Sequence, residues 1–122
     1  MQSNMRQPVT RDQLRGPIEV PQIRRRVDFG HIYSRDEWMA MELGYLPGSM
    51  DQKWFMFVEN ETLFVLRTWS AWLFAEAYFE RQAEERILTH FLVPGTIEQS
   101  DEELKSMLLS LIERWLLGKD PG

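Results

Sequence analysis

The chain contains no cysteine. That absence excludes a disulfide scaffold, a thiol nucleophile and any thiolate-bound metal. Histidine is almost as scarce: His31 and His90 are the only two, too few for a multi-histidine centre, so no metal site is expected. No run of about 18 apolar residues occurs, so no membrane-spanning helix is expected. The first residues lack the apolar core of a secretory signal. The glycines at 16, 30, 44, 48, 95, 118 and 122 are scattered and form no phosphate-cradling loop. No serine stands in a nucleophile elbow. Glu84-Glu85 and Asp101-Glu102-Glu103 read as a solvated connection and a helix start. No catalytic residue and no cofactor are therefore expected.

What is present is ordinary for one soluble domain: 122 residues, 43% hydrophobic and 27% charged. A cytoplasmic location is the expectation. The net charge of −5 hides an asymmetry. Residues 1–30 carry six arginines against three acids, a net of +3, whereas residues 31–122 carry eight basic and sixteen acidic residues, a net of −8. Such a body repels nucleic acid and anionic membrane, so neither is expected as a partner. The run Arg24-Arg25-Arg26 is expected to be solvated or paired within the chain, with the basic N-terminus lying against the acidic body.

Residues 1–22 are polar, interrupted by Pro8, Pro17 and Pro21, and read as a mobile or extended arm ahead of a single domain over 23–122. Ile23, Val27, Phe29 and Ile32 suggest a short segment touching the core. Ser34-Arg35-Asp36-Glu37 has the form of a capping box, which predicts a short helix over 35–43. Residues 53–59 and 62–70 are aromatic and β-branched and predict two strands. The two-residue link Asn60-Glu61 fixes their register: Glu59 opposes Thr62, and Trp54 opposes Arg67. Glu61 takes positive φ poorly, so a strained or widened turn is expected. Residues 71–80 predict a third strand, 81–85 a charged connection and 86–93 a fourth strand. Ser100 and Glu103 form a second capping box, and Leu104, Met107, Leu108, Leu111, Ile112 and Trp115 follow at helical spacing up to Gly118.

The expected fold is α+β: an antiparallel sheet of about four strands, a long C-terminal helix on one face and a short N-terminal helix. In the imposed register one sheet face carries Trp54, Met56, Val58, Leu63 and Val65, and the other Phe55, Phe57, Phe64 and Leu66. Both are apolar and both need cover. One helix covers one face. The other is left to the short helix, the N-terminal segment or a second subunit, so a homodimer or another protein partner is expected.

Arg67 interrupts an apolar strand opposite Trp54. Its plainer reading is structural, a cation–π contact with a carboxylate partner such as Glu76 or Asp51. Its sharper reading is an anion anchor beside Trp54, Trp69 and Trp72, which suits a nucleotide-like small molecule, because rings stack while a guanidinium grips phosphate in a bidentate fork. His90, in mid-strand, reads as a structural hydrogen-bonding residue.

Over residues 46–118 the chain resembles a family of small uncharacterised bacterial domains. The resemblance is carried by Asp51-Gln52-Lys53-Trp54-Phe55, Glu59, Leu63, Arg67-Thr68-Trp69-Ser70, Asp101 and Leu108-Leu109-Ser110-Leu111-Ile112 ending in Leu116-Leu117-Gly118. The family's second motif usually runs Arg-Ser-Trp-Thr-Gly, so Thr68, Ser70 and Ala71 depart from it. Its hairpin turns through Asp-Gly where this chain has Asn60-Glu61. Such domains are sometimes joined to ADP-ribosylglycohydrolase-like enzymes, which implies an accessory role in an ADP-ribosylation-related system. The expected function is a non-enzymatic protein-interaction module that self-associates. The alternative is an ADP-ribose- or nucleotide-binding module using Arg67, Trp54, Trp69 and Trp72.

Overall fold

A computed structural model of the chain describes residues 7–14, 16–47, 53–68 and 70–119. They form an α+β fold with one antiparallel sheet. In chain order come β1 (Arg24–Tyr33), α1 (Arg35–Glu42), β2 (Trp54–Glu59), β3 (Thr62–Arg67), β4 (Leu73–Gln82), β5 (Glu85–Pro94) and α2 (Asp101–Leu111), which is prolonged by a π-helical turn over Ile112–Leu116. The sheet order is β1-β5-β4-β3-β2.

The sheet thus has five strands where about four were expected. The additional strand is β1, expected only as a short core-touching segment. Its alternation is disguised by three consecutive arginines and by a bulge between Asp28 and His31, where three steps on β1 match two on β5. The expected connection over 81–85 is also corrected. β4 continues to Gln82, Ala83 and Glu84 make the turn, and Ala83 sits at φ 55. Charged side chains are tolerated there because the end of a hairpin stands clear of the core.

The β2–β3 hairpin has the register that a two-residue link dictates, with Glu59 opposite Thr62 and Trp54 opposite Arg67. The turn does not widen: Asn60 and Glu61 take φ 50 and 60, the double left-handed step of a type I′ turn. Both capping boxes are formed. Ser34 Oγ accepts from the Glu37 amide at 3.1 Å, and the Glu37 carboxylate accepts from the Ser34 amide at 2.9 Å. Ser100 and Glu103 repeat this at 3.2 and 2.8 Å.

Both helices lie on one face of the sheet. There Trp38 and Met41 of α1 and Leu104, Leu108 and Leu111 of α2 pack with Met56, Leu63, Val65, Phe79, Leu88 and Phe91. The opposite face is covered at β2–β3 by the N-terminal stretch. Val9, Leu14 and Ile18 pack on Phe55, Phe57, Phe64, Leu66 and Leu73. The Val9 amide donates to the Leu43 carbonyl at 2.8 Å, and Glu19 bridges to the start of β4 through Ala71 and Leu73. Arg11 lies 5.4 Å from the centres of both the Phe57 and Phe64 rings and pairs with Glu59 at 2.8 Å. Gly44 (φ 72) marks the place where this stretch, α1 and β2 meet. A Cβ there would lie 2.6 Å from the Met56 carbonyl oxygen and 3.0 Å from Val9 Cβ.

The arginine run is paired within the chain. Arg24 meets Glu76, Arg25 meets Asp101 and the Ile97 and Gln99 carbonyls, and Arg26 meets Asp28. No helix among the described residues is long and apolar enough to cross a membrane.

Candidate functional site

Three of the four residues singled out in the sequence converge. Trp54 at the start of β2, Arg67 at the end of β3 and Trp72 just before β4 line one open cleft of about 350 Å³, with Phe74, Ile97, Gln99, Met107 and Ser70. Trp69, the fourth, lies outside the described residues.

The cleft is assembled by backbone chemistry. Hairpin register sets Arg67 opposite Trp54. The β3–β4 link then folds tightly: the Arg67 amide donates to the Trp72 carbonyl at 2.9 Å, and the Ala71 amide returns to the Arg67 carbonyl at 3.0 Å. Ser70 Oγ accepts from the Trp72 amide at 3.3 Å, and Ala71 carries the left-handed strain at φ 55. On the far side, the Glu19 amide donates to the Ala71 carbonyl at 2.9 Å. Trp72 is therefore clamped from both directions before any ligand arrives.

The Arg67 guanidinium carbon sits 5.3 Å from the centre of the Trp54 ring, a cation–π distance. Trp54 is only 9% exposed and abuts Phe74, with ring centres 5.4 Å apart. The arginine thus roofs a buried indole, and Trp54 offers no open face for a second ring. The half-buried Trp72 is the indole with surface left to give. Among the described residues, no carboxylate comes within 4.0 Å of Arg67, whose side chain is exposed.

Of the two carboxylates proposed for it, only Glu76 is described, and it is placed otherwise. Asp51 lies outside the described residues. Glu76 stands opposite Phe64 on the other face and pairs with Arg24. The cause is a break in alternation: the β3–β4 register shifts between Val65 and Leu66, so β4 carries Leu73, Phe74 and Ala75 where β3 carries two residues. Phe74 stays with the helix-side core while Glu76 turns outward.

His90 stacks on Tyr78, with ring centres 4.7 Å apart and planes 17° apart, and shares a 2.9 Å hydrogen bond with Thr89 Oγ1. Burial, followed by the positive charge of Arg26, lowers its pKa below the usual histidine value. Burial pushes the Tyr78 hydroxyl up to about 12, helped by its hydrogen bond to Glu76. No group of three or more His, Asp or Glu side chains among the described residues could hold a metal.

The sequence reading passed over Arg86, which is 7% exposed and lies over the Trp38 ring at 5.2 Å. Its signal was available: it begins a strand in phase with Leu88, on the face that becomes core.

Compared with family models, curated proteins and solved structures, the chain matches none of them.

Proposed function

We propose that this chain is a non-enzymatic binding module, and that the cleft at Trp54, Arg67 and Trp72 receives an anionic, ring-bearing ligand of the ADP-ribose or nucleotide kind. The observation that carries this reading is the Arg67 guanidinium, held over Trp54 and facing the cleft without a carboxylate partner among the described residues. A guanidinium presents a fork of donors matched to phosphate oxygens. Trp72 supplies the surface for a flat ring, while Ile97 and Met107 form an apolar wall. The resemblance to domains joined to ADP-ribosylglycohydrolase-like enzymes points to the same ligand class.

Calorimetric titration with ADP-ribose, NAD and ADP tests the reading. Saturable binding is expected, weakened about tenfold or more in Arg67→Gln through loss of a charge-assisted bidentate contact. Absence of binding by the parent chain, or equal binding by the variant, refutes it.

Self-association is the second reading, supported by exposed aliphatic residues around edge strand β1: Ile23 is 75% and Ile32 52% exposed. Sedimentation at micromolar concentration is expected to give a dimer that Ile32→Lys dissociates. A strict monomer refutes that reading and leaves the first untouched.

A further inference from the structure

A second cleft, of about 390 Å³, lies at the other end of the strands, between α1 and the β4–β5 turn. Arg35, Trp38, Arg81 and Arg86 line it, together with the carboxylates Glu42 and Glu84. We propose that it is a phosphate-binding site, distinct from the Trp54–Arg67–Trp72 cleft.

The cleft is short of acceptors. Arg86 is more than nine-tenths buried and pairs with Glu61 Oε1 at 3.6 Å, close enough for an ion pair but beyond hydrogen-bonding distance, so its Nε has no hydrogen bond. Its Nη1 reaches only the neighbouring Glu85 carbonyl, at 3.2 Å. Trp38, 3% exposed, likewise leaves its indole Nε1 without an acceptor. Buried donors are costly to leave unpaired. The two side chains are in contact, with the guanidinium 5.2 Å from the indole ring, and both line this cleft. Each orphaned atom is a donor with almost no accessible surface, so the complement is a group that only accepts, met by a small shift of the two side chains toward the cleft.

Like charges also face each other at the cleft. Arg81 stands directly opposite Arg86 in the β4–β5 ladder, a pairing of like charges that works against the sheet. Among the described residues, no carboxylate lies within 4.0 Å of Arg81. Arg35 adds a third guanidinium from α1. Its partner Glu84 is 3.3 Å away, with both side chains largely exposed, and so exposed a pair is weakly held. A phosphate group supplies several acceptor oxygens and the charge that offsets opposed arginines. Glu42 and Glu84, which share the lining, limit the positive charge and favour a small monophosphate over a long polyanion. Ala83, strained at φ 55, forms the turn beside the cleft; it gives the wall a small side chain and leaves the entrance open.

The experiment is proton–nitrogen NMR of the full chain at constant ionic strength. The Trp38 indole resonance is assigned from its loss in Trp38→Phe. Inorganic phosphate and AMP are titrated separately, with acetate and chloride as controls. A saturable downfield shift of that resonance is expected, with affinity about tenfold weaker in Arg81→Gln, an exposed position whose change spares the core. Arg67→Gln should leave this response unaltered, which separates this site from the other cleft. Saturation by AMP but not by inorganic phosphate assigns the site to phosphomonoesters; saturation by both assigns it to the phosphate group alone. A linear drift, an equal response to acetate, or an unchanged affinity in Arg81→Gln overturns the proposal.

Discussion

Replacing Val9 by alanine tests whether the N-terminal stretch belongs to the folding unit. Val9 is 5% exposed and packs among Phe55, Phe57 and Leu66 on the sheet face opposite α1 and α2. Truncation removes two buried carbons, about 1.6 kcal/mol of transfer free energy at roughly 0.8 kcal/mol per methylene. The cavity adds to this, because the aromatic platform beneath is rigid, so a total loss of about 2 kcal/mol is expected. For a chain of this size that corresponds to a fall in Tm of about 6–12 °C. The backbone bond from Val9 to Leu43 survives the change, so the effect reports packing. Arg11→Ala is the matched control: it removes a partly exposed pair with Glu59 and the guanidinium over Phe57 and Phe64, together about 1 kcal/mol and less than the loss expected for Val9→Ala. Differential scanning calorimetry on both variants decides the matter. A Tm for Val9→Ala within a degree or so of the parent would show that the stretch detaches before global unfolding, as a local unit with its own low stability. The covering role assigned to it here would then fail.

Two further expectations follow from the turns and the carboxylates. Glu61→Gly converts the β2–β3 turn to Asn-Gly and relieves a left-handed residue (φ 60), but it also removes the carboxylate 3.6 Å from the buried Arg86, so a net loss of about 1 kcal/mol or more in urea denaturation is expected; a gain would show that the turn strain outweighs the contact. Stability should also fall in acid. Glu37 and Glu103 are held below the usual carboxylate value by the backbone amides they cap, and Glu59 by the Arg11 guanidinium, while burial depresses His90. All four bind protons more readily when unfolded. Their stabilisation is therefore present above the unfolded pKa and is lost as pH falls through the folded one: His90 below about 6.5, the carboxylates below about 4.5. Urea midpoints measured from pH 8 to pH 3 should decline in that order, and His90→Asn should remove the upper part of the decline. A midpoint that rises on acidification contradicts the assignment.

The parts of the fold that could be read from the sequence are those fixed by local chemistry. The capping boxes at Ser34 and Ser100 name their own partners three residues on, and Asn60-Glu61 imposes a register on everything behind it. Arg67 and Trp54 were brought together by that register alone. The parts that could not be read depend on irregularity. β1 hides behind Arg24-Arg25-Arg26, whose side chains pair with Glu76, Asp101 and Asp28, partners a period-2 pattern does not anticipate. The bulge before Ala75 moves Glu76 to the opposite face, so no alternation argument could have kept it from Arg67. Covering of the second sheet face was also beyond periodicity: Val9 is one apolar residue in a polar stretch, and its value lies in the Gly44 notch and phenylalanine platform it meets.

The two arginine–tryptophan pairs on the helix side of the sheet use one device with different consequences. At each end of the strands the helices run out, and a guanidinium closes over an indole that would otherwise meet water: Arg67 over Trp54 at 5.3 Å and Arg86 over Trp38 at 5.2 Å. Arg67 is exposed, so hydration satisfies its donors and the fold does not depend on a ligand; binding there displaces water from one face of the guanidinium. Arg86 is buried, its Nε makes no hydrogen bond although Glu61 stands 3.6 Å away, and Arg81 opposes it, so much of the cost of desolvation is already incurred in the folded chain. An anion reaching Arg86 regains part of that cost, whereas one reaching Arg67 must first offset the hydration it replaces. Phosphate should accordingly raise the Tm through the Arg86 end more than through the Arg67 end, by the linkage between ligand binding and stability. In Arg81→Gln the phosphate-induced rise in Tm should shrink while that in Arg67→Gln persists; the reverse order would place the binding energy at the exposed arginine and undo the argument from burial.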